Sequence, residues 1–210
     1  MKITKFVHAC VLVEDAGRAA LFDPGSFSED ALKAVTLPNI GNIFITHEHN
    51  DHFSISAIQY ILSKNPDVRI TSTPSVVKQL EASHIRAQAM PPDTAALFES
   101  PHEGHPPFLS PPEQIGVHYI NTFSHPGDSH SFIETKAVLA LPVTAPWGST
   151  IAAVDLCIKL KPKFVVPIHD WFWRDQARNA MYDRFEQLFD QYGTTFLKLE
   201  TGVPVDIEVE

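Results

Sequence analysis

Between Thr46 and His52 the chain reads Thr46-His47-Glu48-His49-Asn50-Asp51-His52, three imidazoles and a carboxylate in the pattern H-x-H-x-D-H. Neutral imidazole and carboxylate are the commonest protein ligands of divalent cations, and a hydrophobic core has no use for such a cluster. Residues two apart on an extended segment point to the same side, so the spacing predicts that His47 and His49 reach one ion together. Asp51 and His52 follow where the chain turns and can reach a second ion nearby.

Two ions need more donors than this motif carries. The best candidates elsewhere are His102 or His105 in a proline-rich stretch, Asp128 in a Gly127-Asp128 turn, and His169 after an apolar run. Each lies in a loop or at a strand end, where active-site residues concentrate. His125 and His130 flank Asp128 and read either as groups orienting a ligand through a hydrogen bond or as turn residues. His8 divides between the same orienting role and packing. His84 and His118 read as structural or exposed, and Cys10 and Cys157 as buried apolar residues. Trp147, Trp171 and Trp173 stand beside the candidate segments and read as walls of an apolar pocket or as packing. Glu48 and Asn50 are spacers.

The elements that must hold these residues alternate between strand and helix. Ile3 to Phe22 reads as a β-hairpin turning at Asp15-Ala16-Gly17. Ser28 to Val35 is a short helix. Asn42 to Thr46 is a buried strand leading into the histidine motif. Ser54 caps a helix to Lys64, with Ile55, Ile58, Ile61 and Leu62 on one face. A strand at Val68 to Ser72 and a helix at Ser75 to Ser83 follow. Pro91 to Pro112 is irregular, and eight of the 17 prolines fall between Pro91 and Pro126. A strand pair spans Gly116 to Phe123, and Val138 to Val143 is an apolar strand. Ser149 or Thr150 caps a helix ending near Pro162. Phe164 to Ile168 is a buried strand delivering His169, Gln176 to Tyr192 an amphipathic helix stopped by Gly193, and a final hairpin turns at Gly202. The alternation predicts an α/β class in one domain, 1–210.

Composition narrows the function. The 210 residues carry a formal charge of −9, and 44% are hydrophobic. An acidic surface repels a phosphate backbone, so nucleic acid is not an expected partner; a small-molecule substrate is. No apolar run approaches a membrane span, no signal-peptide pattern opens the chain, and two cysteines make no disulfide framework. A cytoplasmic protein without membrane association is the expectation, with oligomeric state open.

The order of Phe22-Asp23-Pro24-Gly25, the 46–52 motif, a histidine loop, Gly127-Asp128 and His169 resembles the metallo-β-lactamase-fold superfamily over essentially the whole chain. His125-Pro126-Gly127-Asp128-Ser129, Leu141-Pro142-Val143-Thr144-Ala145-Pro146-Trp147 and Pro167-Ile168-His169-Asp170 resemble its branch of small bacterial zinc-dependent hydrolases related to the L-ascorbate-6-phosphate lactonase group. The resemblance implies a four-layer αβ/βα sandwich with the metals at one edge of two sheets. It implies one site of His47, His49 and a third histidine, a second of Asp51, His52 and His169, and Asp128 bridging them. For the third histidine His102 is preferred, because it stands at the family's distance before Gly116 and Pro106-Pro107 stiffens the chain beside His105.

Two divalent ions sharing a water lower its pKa toward neutrality and supply hydroxide. Asp51 can also shuttle a proton, which makes it the candidate catalytic residue. The all-nitrogen-and-oxygen donor set suits Zn2+ best, with Mn2+ or Fe compatible. The leading expectation is therefore a metal-dependent hydrolase of an ester, lactone, amide or phosphodiester bond in a small molecule. A di-iron oxidoreductase on the same scaffold is the alternative. A nuclease is disfavoured by the charge, and a non-catalytic metal-binding or scaffold protein by the full set of candidate ligands.

Overall fold

The computed structural model of the chain describes residues 1–104 and 110–209. Its strands are β1 (Lys2–Lys5), β2 (Val11–Asp15), β3 (Arg18–Phe22), β4 (Asn42–Ile45), β5 (Arg69–Ser72), β6 (Ala95–Phe98), β7 (Gly116–Tyr119), β8 (Phe123–His125), β9 (Val138–Pro142), β10 (Phe164–Ile168), β11 (Thr195–Phe196) and β12 (Pro204–Asp206). Its helices are α1 (Glu29–Lys33), α2 (Ile55–Lys64), α3 (Pro74–Ala82), α4 (Thr150–Leu160) and α5 (Asp175–Asp190). The strands form two six-stranded mixed sheets, ordered β12-β1-β2-β3-β4-β5 and β11-β10-β9-β8-β7-β6.

Period-two burial makes the layers. Along β4, Ile43 and Ile45 pack outward with Leu32, Ala57, Ile58, Ile61, Val76 and Leu80 of α1 to α3. Phe44, between them, points inward and joins Phe22, Tyr119, Phe123 and Ile168 between the sheets. Along β9, Val138 and Ala140 face inward while Leu139 and Leu141 meet Ala153, Leu156, Phe185 and Phe189 of α4 and α5. Strands buried on both faces must be apolar throughout, which is why β4 and β9 read as continuous apolar runs. Burying each such side chain stabilises by about 1.5–3 kcal/mol. Helices, sheet, sheet, helices: this is the four-layer αβ/βα sandwich of the metallo-β-lactamase fold.

Three expectations about elements need correction. The first segment contributes three antiparallel strands, because β1 precedes the β2–β3 hairpin. The stretch 91–112, expected to be irregular, contains β6, which pairs antiparallel with β7 at the sheet edge. The expected C-terminal hairpin is not one: β11 runs parallel to β10 while β12 pairs with β1 in the other sheet. Gly202, with φ 75°, turns the chain between sheets rather than within one.

Candidate metal centre

The C-terminal ends of β3, β4, β8 and β10 open at one edge of the sandwich, and there the candidate residues meet. β4 stops at Ile45, and the 46–52 segment folds as a turn in which the His52 and Phe53 amides donate to the His49 carbonyl at 3.0 and 2.9 Å. His47 and His49 therefore reach a common point from a turn rather than from one face of a strand, each presenting a different nitrogen. Ser54 then caps α2 by accepting from the Ala57 amide, which fixes where the motif ends. The Asp23-Pro24-Gly25 turn docks on the motif: the Ser26 amide donates to Asn50 O at 2.7 Å and the Ser54 amide to Pro24 O at 3.2 Å. A Cβ on Gly25 would fall 1.8 Å from Asp51 O, so only glycine permits this approach.

Two groups of donors result. In the first, His47 Nε2 lies 3.1 Å from His49 Nδ1, and His102 Nε2 lies 3.3 Å from the same atom. In the second, His52 Nε2 and His169 Nε2 are 3.0 Å apart, with Asp51 Oδ2 4.0 Å from His52 Nε2. Asp128 stands between them. Its Oδ2 is 3.5 Å from His102 Nε2 and 4.0 Å from His47 Nε2, while its Oδ1 is 2.8 Å from His52 Nε2 and 2.5 Å from His169 Nε2. Ligands at tetrahedral zinc distances are separated by about 3.3 Å, so these spacings suit donors around two small cations. The groups His47/His49/His102/Asp128 and His8/Asp51/His52/His169 could each hold a metal ion.

Hydrogen bonds on the far ring nitrogens decide which atoms face inward. Thr46 Oγ1 donates to Asp23 Oδ2 at 2.8 Å, so it accepts from His47 Nδ1 at 3.0 Å. His52 Nδ1 donates to Asp23 Oδ2 at 2.7 Å, and His102 Nδ1 to Glu103 O at 2.6 Å. In the neutral ring each of these three histidines then aims a bare Nε2 lone pair at the centre. The bare His52 Nε2 faces Asp128 Oδ1, which is buried between His52 and His169. Lone pair against carboxylate is repulsive unless a cation lies between, a proton or a metal. Without an ion, the proton is what the surroundings favour: burial opposes charge on His52, but the Asp128 and Asp23 carboxylates override it and hold its pKa well above 6.5. Burial would raise Asp128, yet His169 and His52 keep it well below the usual carboxylate range. His47 and His49 are pushed down, chiefly by burial, and stay neutral. A buried anion ringed by imidazoles is the chemistry of a cation site, and the residues present fit one.

Several residues outside the predicted set hold these donors. Asp23 accepts from His52, from Thr46 Oγ1 and from the Thr46 amide at 2.7 Å. Burial lowers the His8 pKa to about 4, so the neutral ring donates Nε2–H to Asp51 Oδ2 at 2.9 Å. Trp147 Nε1 donates to Asp128 Oδ2 at 2.9 Å. Gln114 accepts from the Asp128 amide and donates to Ser100 O, tying the His102 loop to the Asp128 turn. Behind His169, buried Lys5 Nζ bonds both oxygens of Asp170 at 2.8 and 3.0 Å, and Tyr182 donates to the same carboxylate. His8, Asp23 and His169 all have positive φ, 63°, 44° and 65°. Left-handed backbone at non-glycine residues costs energy and concentrates at functional sites.

The structure thus brings together His47, His49, Asp51, His52, His102, Asp128 and His169. His105 lies outside the described residues. Of the ambiguous histidines, His8 joins the site, and His125 supports it by donating to Ala9 O at 3.0 Å. His118 is structural, stacked on Phe98 at 4.1 Å. Both cysteines are free and buried, and burial pushes the Cys157 thiol up to about 12. Asp23 was visible in sequence as part of Asp23-Pro24-Gly25, but nothing in that turn signals a carboxylate pointing at a histidine 29 residues on. Gln114 carried no signal at all.

Residues 2–169 match the family model described as a beta-lactamase superfamily domain. The protein Rv0786c of Mycobacterium tuberculosis is 30% identical over 200 residues, covering 90% of this chain and 92% of that protein. Igni18, a metallo hydrolase from the hyperthermophilic archaeon Ignicoccus hospitalis, superposes with a TM-score of 0.72 at 21% identity over 100% of this chain and 99% of its own. CmlA, a diiron β-hydroxylase from Streptomyces venezuelae, superposes with a TM-score of 0.68 at 15% identity, over 99% of this chain and 54% of the larger protein.

Proposed function

Because the chain belongs to the beta-lactamase superfamily, we propose that it is a metal-dependent hydrolase of a small molecule with an ester, lactone, amide or phosphodiester bond. His47, His49 and His102 would hold one ion and Asp51, His52 and His169 the other, with Asp128 placed between the two groups. The observation that carries this reading is the split of Asp128, with Oδ2 toward one imidazole group and Oδ1 toward the other. When bound, two such ions polarise the scissile bond and lower the pKa of a water toward neutrality.

The residues themselves do the rest. His8 holds Asp51 through Oδ2, which leaves Oδ1 outside that bond and able to accept a proton. Asp23 keeps His52 in one tautomer, and the Trp147 indole N–H holds Asp128 through Oδ2. Zinc suits the donor set best; the likeness to CmlA keeps a di-iron oxidoreductase as the competing outcome. One experiment separates them: elemental analysis and visible absorbance of protein grown with iron or zinc, with a screen against lactones, thioesters, phosphodiesters and β-lactams. Close to two ions per chain with hydrolysis supports the proposal. Protein that cannot be loaded with metal sinks it, and iron-dependent absorbance without hydrolysis transfers the case to redox chemistry.

A further inference from the structure

The rim of the candidate centre is aromatic on the His8 side. Trp171 and Phe172 follow His169 directly and are each 49% exposed, unusual for apolar side chains of that size. Phe27, after the Asp23-Pro24-Gly25 turn, stacks on Trp171 with ring centroids 4.3 Å apart. Phe172 stands edge-on to Trp171 at 5.5 Å and to His8 at 5.7 Å, and Phe27 meets His8 at 5.4 Å. His8 in turn bonds Asp51. A continuous aromatic surface therefore runs from solvent to the second group of donors, built from two segments that both supply site residues.

Charge around the centre points the same way. The sequence segments 23–28, 46–54, 99–115, 125–135, 143–149 and 169–175 contain one basic residue, Arg174. The same segments carry ten acidic residues, Glu48, Glu99, Glu103, Glu113, Glu134, Asp170 and Asp175 besides Asp23, Asp51 and Asp128. Proteins recognise phosphate and carboxylate substituents with arginine forks and lysines, and these sequence segments are nearly without them. Exposed aromatic faces instead gain from covering a flat apolar group.

We propose that the substrate is uncharged away from its scissile bond and carries a flat apolar group seated on Trp171, Phe172 and Phe27. This rests on the hydrolase reading only for the word substrate; the binding preference stands or falls separately.

The test uses three γ-lactones that share one ring and differ at one position: γ-phenyl-γ-butyrolactone, unsubstituted γ-butyrolactone and 5-oxotetrahydrofuran-2-carboxylate. Metal-loaded protein is titrated calorimetrically where a lactone is not turned over, and KM is measured where it is. The phenyl lactone is expected to bind about tenfold more tightly than the unsubstituted ring, and the carboxylate more weakly than either. Trp171→Ala erases the phenyl advantage, Phe172→Ala reduces it, and Arg174→Gln leaves the ranking alone. The inference is overturned if the carboxylate binds as tightly as the phenyl compound, or if both aromatic variants keep the phenyl preference. It is also overturned if Trp171→Ala changes the oligomeric state and not the binding, since the aromatics then serve a protein interface. Preserved ranking with no turnover of any lactone counts against lactone hydrolysis and leaves the aromatic surface standing.

Discussion

The two groups of candidate ligands are built from the same chemistry and supported differently. Around His47 and His102 the orienting contacts are local: Thr46 and Glu103 are the immediate chain neighbours of the rings they hold. Around His52 and Asp51 they are distant. Asp23 is 29 residues from His52, and His8 is 43 residues from Asp51. His169 comes from the other sheet, and its amide donates to His8 O at 3.4 Å. Both groups draw ligands from both sheets, His102 and Asp128 completing the first and His169 the second, so neither exists until the sheets dock; what differs is that the orienting contacts of the second also span long stretches of sequence. His52 and the Asp23 carboxylate that holds it are fully buried, so they couple the centre to the stability of the whole sandwich.

The strongest way to break this contrast is to remove one histidine from each side. His52→Ala leaves Asp23 and Asp128 buried without their shared imidazole. Breaking such a buried arrangement costs about 3–5 kcal/mol, so thermal melts of the metal-free variant should show a large loss of stability or no folded protein. His49 is only partly buried and contacts neighbouring rings rather than an orphaned charge. His49→Ala should fold nearly as well as the parent, bind one ion fewer and lose hydrolysis of any substrate the screen identifies. Equal melting temperatures for the two variants would show that the second group is not coupled to the fold.

Asp23→Asn tests the distant support without removing a ligand. The amide keeps the shape but cannot serve as a carboxylate acceptor for both His52 and Thr46. Losing an outer partner of this kind typically weakens metal affinity 10–100-fold. Competition with a chelator should show that loss concentrated in one of two ions, and uniform weakening of both would erase the distinction between the groups.

How far the centre was legible in sequence follows the same division. His47, His49, Asp51 and His52 are contiguous, and an apolar run marks the strand that delivers them. His169 announces itself because it follows another such run. Asp128 and His102 could be placed only through the order of motifs, since a Gly-Asp turn and a histidine in a proline-rich stretch are individually ordinary. Asp23, Gln114 and Trp147 are illegible as partners, because their roles arise from contacts between separate loops that no local pattern encodes, and His8 is legible only as a choice between orienting and packing. The fold divides likewise. Runs such as Ile43-Phe44-Ile45 and Val138 to Leu141 reveal strands buried on both faces, but β11 and β12 are too short to show that they belong to different sheets. β6 escaped notice because its edge position leaves Ala96 and Leu97 exposed, so no apolar pattern marks it.

The choice of His102 sharpens the local side of the contrast. His102 is buried and faces His49 and Asp128, so His102→Ala should lower metal affinity more than His105→Ala. Chelator competition on the two variants measures this directly, and the reverse order would reassign the ligand.

The smallest effect belongs to Ser54, which ends the motif without touching either group of donors. Its side chain accepts from the Ala57 amide at 3.2 Å and donates to Glu29 Oε1 at 2.5 Å. Ser54→Ala removes the cap of α2, a loss of about 1 kcal/mol, or a fall in melting temperature of roughly 2–4 °C for a domain of this size. Metal content should not change, because Phe53 and the bond from the Ser54 amide to Pro24 O still anchor the motif's end. If metal is lost as well, the cap sets the geometry of the 46–52 turn, and the first group depends on helix α2 as well as on the docking of the two sheets.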